Sequence, residues 1–212
     1  MQVAYKPVLN SIMMGLVIVG AISDKPGLAS PVTLEEAAKS EVSTPTIVSQ
    51  SQGVYRSDRF LFRFTYSSKD FVIDNDISTP SNGIDAPFAT IDVWTKQHAQ
   101  KIRAGAYEGG TEYPANVSIR VYNNPKKLPL QQWVKQSNQF TMSRDFKIAR
   151  IAGKTGIKFQ SSGLYENESV VFINPKDARI IVVSLSKNST NDDAIYRRAY
   201  QQIVNSFIFV NR

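Results

Sequence analysis

Along residues 153–209 the spacing of apolar and polar side chains changes in a definite order, from strand patterning to helix patterning and back. Ile157-Lys158-Phe159-Gln160-Ser161 alternates with the period of two that a half-buried strand requires. Residues 169–173 form a continuous apolar run, and Asn174-Pro175-Lys176-Asp177 follows with a proline that presets the backbone of a tight turn. The chain reverses there. Residues 179–185 are rich in β-branched side chains and apolar on both faces, the pattern of a strand in a sheet interior. After a polar stretch at 188–193 that can cap a helix, Tyr196, Ala199, Ile203 and Phe207 recur at three- and four-residue steps. Arg197, Arg198, Gln201, Gln202 and Asn205 fall elsewhere on the helical wheel. A short closing strand is predicted over 207–210.

The preceding half carries weaker signals. Phe60-Leu61-Phe62-Arg63-Phe64-Thr65-Tyr66 alternates in part and Phe71-Val72-Ile73 follows a short turn, which predicts two strands forming a hairpin. Residues 74–87, with Pro80, Asn82, Gly83 and Pro87, read as a loop, and 89–94 as a strand. Residues 95–105 fit a short helix and an extended basic loop equally well. Gly109-Gly110 breaks the chain, residues 116–122 alternate as a strand, and 128–138 predict a helix with Leu130, Trp133, Val134 and Ser137 on one face. Its Pro129 falls in the first turn, where a missing amide proton is harmless. Strands and helices that do not alternate regularly make this an α+β chain.

The first 53 residues have a different composition. An apolar run from Ser11 to Ile22 follows Lys6 and precedes small residues, the outline of a secretory signal peptide. Ala21 and Ser23, or Gly27 and Ala29, offer cleavage sites. The second is preferred, so residues 1–29 are assigned to the leader, with an uncleaved anchor as the alternative. The run is shorter than the ~20 apolar residues of a comfortable membrane span. Residues 30–53, rich in Ser, Thr, Pro and Gln, predict a flexible polar tether, and the folded domain is placed at 54–212.

The chain has 212 residues, enough for one core without covalent staples. It contains no cysteine, which excludes disulfides, thiolate nucleophiles, sulfur-ligated metals and a lipoprotein anchor. Residues 1–53 hold 3 Lys+Arg against 4 Asp+Glu, leaving 22 against 14, a net of +8, in the domain out of the formal +7 total. The excess gathers locally at Lys96, Lys101 and Arg103, at Lys126-Lys127, and at Arg197-Arg198. Such charge either solvates the surface or steers the domain to an anionic membrane or the acidic face of a membrane complex. Export argues against nucleic acid as the partner.

No residue set for catalysis stands out. His98 is the only histidine, no Gly-x-Ser-x-Gly elbow presents a serine, and a lone histidine in a basic segment reads as a surface residue. His98 with Asp92 would make a weak metal site, and Asp74 with Asp76 lacks the glycine and closing glutamate of a calcium loop. No catalytic residue, metal or cofactor is therefore assigned. Trp133 packs in the core by its helical spacing. Tyr107 and Tyr113 flank Gly109-Gly110 beside the basic segment. The candidate partner-binding set is Lys96, His98, Lys101, Arg103, Tyr107, Tyr113, Lys126 and Lys127, on a domain expected to be monomeric.

One wider pattern adds to this reading. A strand, the Asn123-Asn124-Pro125-Lys126-Lys127 loop, a tryptophan-bearing helix, Gly153-Lys154-Thr155-Gly156 entering a meander, and a last helix ending Ser206-Phe207 together resemble the PsbP-like family. Phe62-Arg63-Phe64-Thr65-Tyr66 followed by Phe71-Val72-Ile73 is similar to that family's opening hairpin. The likeness spans about residues 60–210 and rests on residue types. It implies an α-β-α sandwich, a central antiparallel sheet with helices on both faces, with no enzymatic activity. It also implies residence in the periplasm or thylakoid lumen and association with photosystem II or assembly of another photosynthetic complex. The lipid-anchoring cysteine of the cyanobacterial family member is missing, which implies a paralogue. The same architecture occurs in DcrB-like envelope proteins, so an envelope protein binding a lipid or other apolar ligand is the first rival function. A hydrolase with dispersed carboxylates is the second.

Overall fold

The computed structural model describes residues 51–76, 86–109, 112–188 and 190–211. The predicted leader, residues 30–50 of the predicted tether and residues 77–85 of the predicted loop lie outside them. In chain order the elements are β1 (Gln52–Ser57), β2 (Phe62–Ser67), β3 (Phe71–Asp76), β4 (Ala89–Thr95), α1 (Lys96–Arg103), β5 (Asn116–Tyr122), α2 (Leu130–Gln136), β6 (Arg144–Ile151), β7 (Lys154–Ser162), β8 (Glu166–Ile173), β9 (Ile180–Lys187), α3 (Asp193–Ser206) and β10 (Ile208–Phe209). Seven strands form one antiparallel sheet in the order β3-β4-β5-β9-β8-β7-β6. A second antiparallel sheet has the order β1-β2-β10. The fold is α+β.

Alternation along the strands gives the large sheet two different faces. In β5, Val117, Ile119 and Val121 enter one core and Tyr122 the other. The first core is roofed by α3 and the small sheet: Tyr196, Ala199, Tyr200 and Ile203 from the helix join Ile91, Val93, Val170, Phe172, Ile181, Val183 and Leu185. Phe60, Phe62 and Phe64 extend it as a ladder of near-parallel rings, with Phe207 4.8 Å from Phe62 and 5.0 Å from Phe172. Each such ring, fully withdrawn from water, contributes about 1.5–3 kcal/mol. The second core is smaller. Trp133 and Val134 of α2 cover Tyr122, Phe140, Phe159, Val171, Ile180 and Val182. Helices thus lie on both faces of the sheet.

Local chemistry explains several boundaries. The Thr95 hydroxyl accepts the His98 amide at 3.2 Å and caps α1, which resolves the ambiguous basic segment as a helix. Pro129 sits at the cap of α2, one position before the turn expected of it. Asn174 shapes the predicted reversal by accepting the Lys176 amide, and its Nδ2 donates to Phe60 O at 2.9 Å. One buried side chain therefore makes the turn and ties the β1–β2 connection to the large sheet. Gly156 lies where a Cβ would come within 2.7 Å of Val171 O, so β7 and β8 fit only with glycine there.

Three expectations are corrected. β2 and β3 are both strands, but they do not pair: β2 lies between β1 and β10, while β3 pairs with β4. The connection Ser67–Asp70 is a corner, held by Ser67 Oγ donating to Asp70 Oδ2 at 2.7 Å and by Lys96 N–H donating to Asp70 O. Strand β1 starts at Gln52, inside the segment assigned to the tether, because Gln52 already pairs with Ser67. Strand β6 was not expected. It is an edge strand with a register shift between Arg144 and Lys147, where Asp145 has a φ of 56°, and charged side chains obscure its alternation.

Candidate functional site

Helix α1 presents Lys96, Lys101 and Arg103 to solvent and buries His98 and Ala99. Lys101 and Arg103 fall in its last turn, where the helix dipole favours cations. Just beyond it, the rings of Tyr107 and Tyr113 stack at 5.3 Å, and Tyr113 lies 6.4 Å from Trp94 of β4. Tyr113 is 44% exposed, and Tyr107 and Trp94 are half-buried. Of the predicted set, Tyr107 and Tyr113 are in ring contact, and Lys96, Lys101 and Arg103 are exposed on the preceding helix. Trp94 completes an aromatic row that the sequence did not connect.

His98 does not belong to that surface. The expectation of a surface histidine is corrected: it is 7% exposed, because its ring turns inward against Tyr196 of α3. Its Nδ1 is 2.8 Å from the Tyr196 hydroxyl, which also accepts the Thr95 amide at 2.9 Å. That phenol then donates to Nδ1, and Nε2, 3.4 Å from Asp192 Oδ2, carries the ring proton. Burial lowers the His98 pKa, with Asp192 opposing and Lys101 adding to the shift. The neutral ring is a peg that fixes the angle of α1.

Lys126 and Lys127 are exposed but lie elsewhere. They follow Tyr122, whereas α1 and the tyrosine pair adjoin Asn116 at the opposite end of β5. A seven-residue strand separates the two groups by on the order of 20 Å. Asn124 holds their loop by donating to Leu128 O and accepting from Leu128 N.

Two further constellations were not read from the sequence. On the α3 face, Glu168 is 8% exposed and bridges Lys158 Nζ at 2.5 Å and Arg197 Nη1 at 2.9 Å. Burial raises its pKa, but the hydrogen bonds and charges of Lys158 and Arg197 outweigh that, and the net shift is downward. A hollow of about 210 Å³ adjoins it, bounded by Ile151, Val170, Tyr200 and Val204 as well as Lys158 and Glu168. The Tyr200 hydroxyl is buried with no hydrogen-bond partner among the described residues, and burial drives its pKa upward. On the opposite face a smaller cavity of about 80 Å³ lies among Ser118, Arg120, Ser161, Asn167, Ser184 and Ser186, with Gln139 and Phe140 at its side. The signal for it was the run of polar residues at alternate strand positions, which becomes a cluster only once β5, β9, β8 and β7 lie side by side. Among the described residues no three His, Asp or Glu side chains gather as metal ligands.

An α+β sandwich of this kind defines a class of scaffolds and no single activity. No known family profile matches the chain, and no curated protein is similar to it. Among solved structures, the solution structure of cyanobacterial PsbP (CyanoP) from Synechocystis sp. PCC 6803 aligns with a TM-score of 0.47 and 14% identity, over 79% of this chain and 97% of that one. The fold class stands on this chain's own strand order.

Proposed function

We propose that the chain is a non-catalytic accessory or assembly factor acting outside the cytoplasm, which docks on the acidic face of a membrane complex or on an anionic membrane. The observation that carries this reading is the exposure of Lys96, Lys101 and Arg103 on α1, flanked in the chain by the contact group of Tyr107, Tyr113 and Trp94. Cations speed encounter, and half-exposed aromatics supply contact area once a partner is reached. The predicted leader supports the compartment. The residue pattern resembling the PsbP-like family supports a photosynthetic membrane complex, photosystem II among them, as the partner. The test is to replace Lys96, Lys101 and Arg103 with Glu and to measure pelleting with native membranes at low and high salt. Strong loss at low salt is expected; unchanged pelleting rejects the reading.

A second reading is favoured by the hollow beside Glu168. Its apolar wall of Ile151, Val170 and Val204 fits a DcrB-like role in holding an apolar ligand between sheet and helix, although Lys158 and Glu168 make one side polar. Lipid extraction from the purified chain distinguishes the two: co-purified lipid lost on Val204→Lys supports this reading over the first.

A further inference from the structure

We propose that the serine-lined cavity on the α2 face is a binding site for a small oxyanion, a carboxylate or a phosphate group. Its walls come from four adjacent strands, so its geometry is set by the sheet and not by a loop. Two of its hydroxyls take part in no hydrogen bond among the described residues. Ser118 is 5% exposed and Ser161 is 3% exposed, and both line the cavity. These hydroxyls are therefore available to an occupant or to water.

Among the residues lining the cavity, Arg120 is the one that carries a charge, and Asp92 lies outside the lining. Arg120, half-buried on the same face as Ser118, makes no ion pair among the described residues. Its guanidinium offers a planar fork of donors suited to carboxylate and phosphate oxygens. The carboxylate next to it on the sheet is Asp92, the Cα partner of Ser118, which already accepts from Asn116 Nδ2 at 3.0 Å. Ser169 and Ser184 satisfy each other at 2.8 Å and close the floor. An occupant therefore meets a guanidinium and serine hydroxyls that can donate, with the side-chain amides of Asn116, Gln139 and Asn167 at the rim. At about 80 Å³ the cavity is far below the roughly 300–1,000 Å³ of pockets for drug-sized molecules, so it takes a charged group and not a whole sugar or lipid.

This site shares no residue with Lys96, Lys101, Arg103, Tyr107, Tyr113 or Trp94, so variants of the two sites test the two proposals separately. The test is an amide-resolved NMR titration of the full chain with sodium phosphate and, separately, sodium acetate, against sodium chloride at matched ionic strength. Saturable shifts centred on residues 116–120, 161 and 184–186 are expected, absent in chloride. Arg120→Gln weakens the apparent affinity by about tenfold or more, and so does the double variant Ser118→Ala with Ser161→Ala, which keeps the shape of the wall should the arginine variant fold poorly. A response to acetate alone identifies a carboxylate, to phosphate alone a phosphate group, and to both a general oxyanion site. No saturable shift at tens of millimolar overturns the proposal. So do shifts mapping to residues 96–103, and shifts that survive the double variant.

Discussion

On the α3 face of the large sheet, β4, β5, β9 and β8 all supply buried aliphatic or aromatic side chains, and helix and small sheet together close over them. On the α2 face the apolar cover is a short helix over Tyr122, Phe159, Val171, Ile180 and Val182, after which Ser118, Ser161, Ser169, Ser184 and Ser186 continue the same strands. The backbones are shared, so the difference lies only in which residues occupy alternate positions. Apolar burial stabilises by area, whereas a buried hydroxyl at best breaks even with its lost hydration. The first face therefore carries most of the folding free energy, and the second is free to hold chemistry that stability does not require.

That division is testable by substitution. Phe207→Ala removes the ring that touches Phe62, Phe64, Phe172 and Phe209, and a loss of about 3–5 kcal/mol in urea unfolding is expected. A loss under ~1 kcal/mol would remove the α3 face from its leading position. Glu168→Gln leaves Lys158 and Arg197 without their carboxylate; both are partly hydrated, so the cost is about 1–2 kcal/mol at neutral pH. Because its folded pKa is depressed, the stabilisation by Glu168 is present above its ordinary value of 4.5 and is lost as pH falls through the folded value. The wild-type and Glu168→Gln denaturation curves should then converge in acid, and a gap that persists there would contradict the ion-pair account.

A smaller effect concerns the peg. The folded pKa of His98 is lowered from 6.5, so folding excludes a proton there; the resulting stability is full above 6.5 and declines as pH falls below it. Thermal unfolding of the wild type should lose midpoint temperature in that window, and His98→Gln should flatten the decline. Equal slopes for the two chains would show that His98 is not the titrating group. The smallest effect is expected at Ser186→Ala, within about 0.5 kcal/mol of wild type. A larger loss would mean that the serine face is structural after all.

Legibility in the sequence followed the range of the forces involved. Strand β5 and helix α3 were readable because Val117, Ile119 and Val121, and likewise Tyr196, Ala199 and Ile203, repeat at a period set by their own backbone. Pairing was not. Phe62–Ser67 finds β10 from the far end of the domain, and no local signal separates that from a hairpin with β3. The exposed half of the candidate site, Lys96, Lys101, Arg103, Tyr107 and Tyr113, was contiguous and could be proposed from composition alone. His98 could not be placed, since its partners Tyr196 and Asp192 lie on α3. The serine cavity needs four strands in register, and each contributes only one to three of its residues.

Strand β10 completes the sheet begun by β1 and β2, with Ile208 opposite Arg63 and Phe209 opposite Phe62. A nascent chain that has made Phe62 and Phe64 must wait for nearly all of the remaining domain before Phe207 can fill the gap between them and Phe172. Until then the early aromatics are sticky and unseated. Such late closure makes residues 207–209 the last piece to seat in the larger core, so the finished packing depends on the final few residues of the domain.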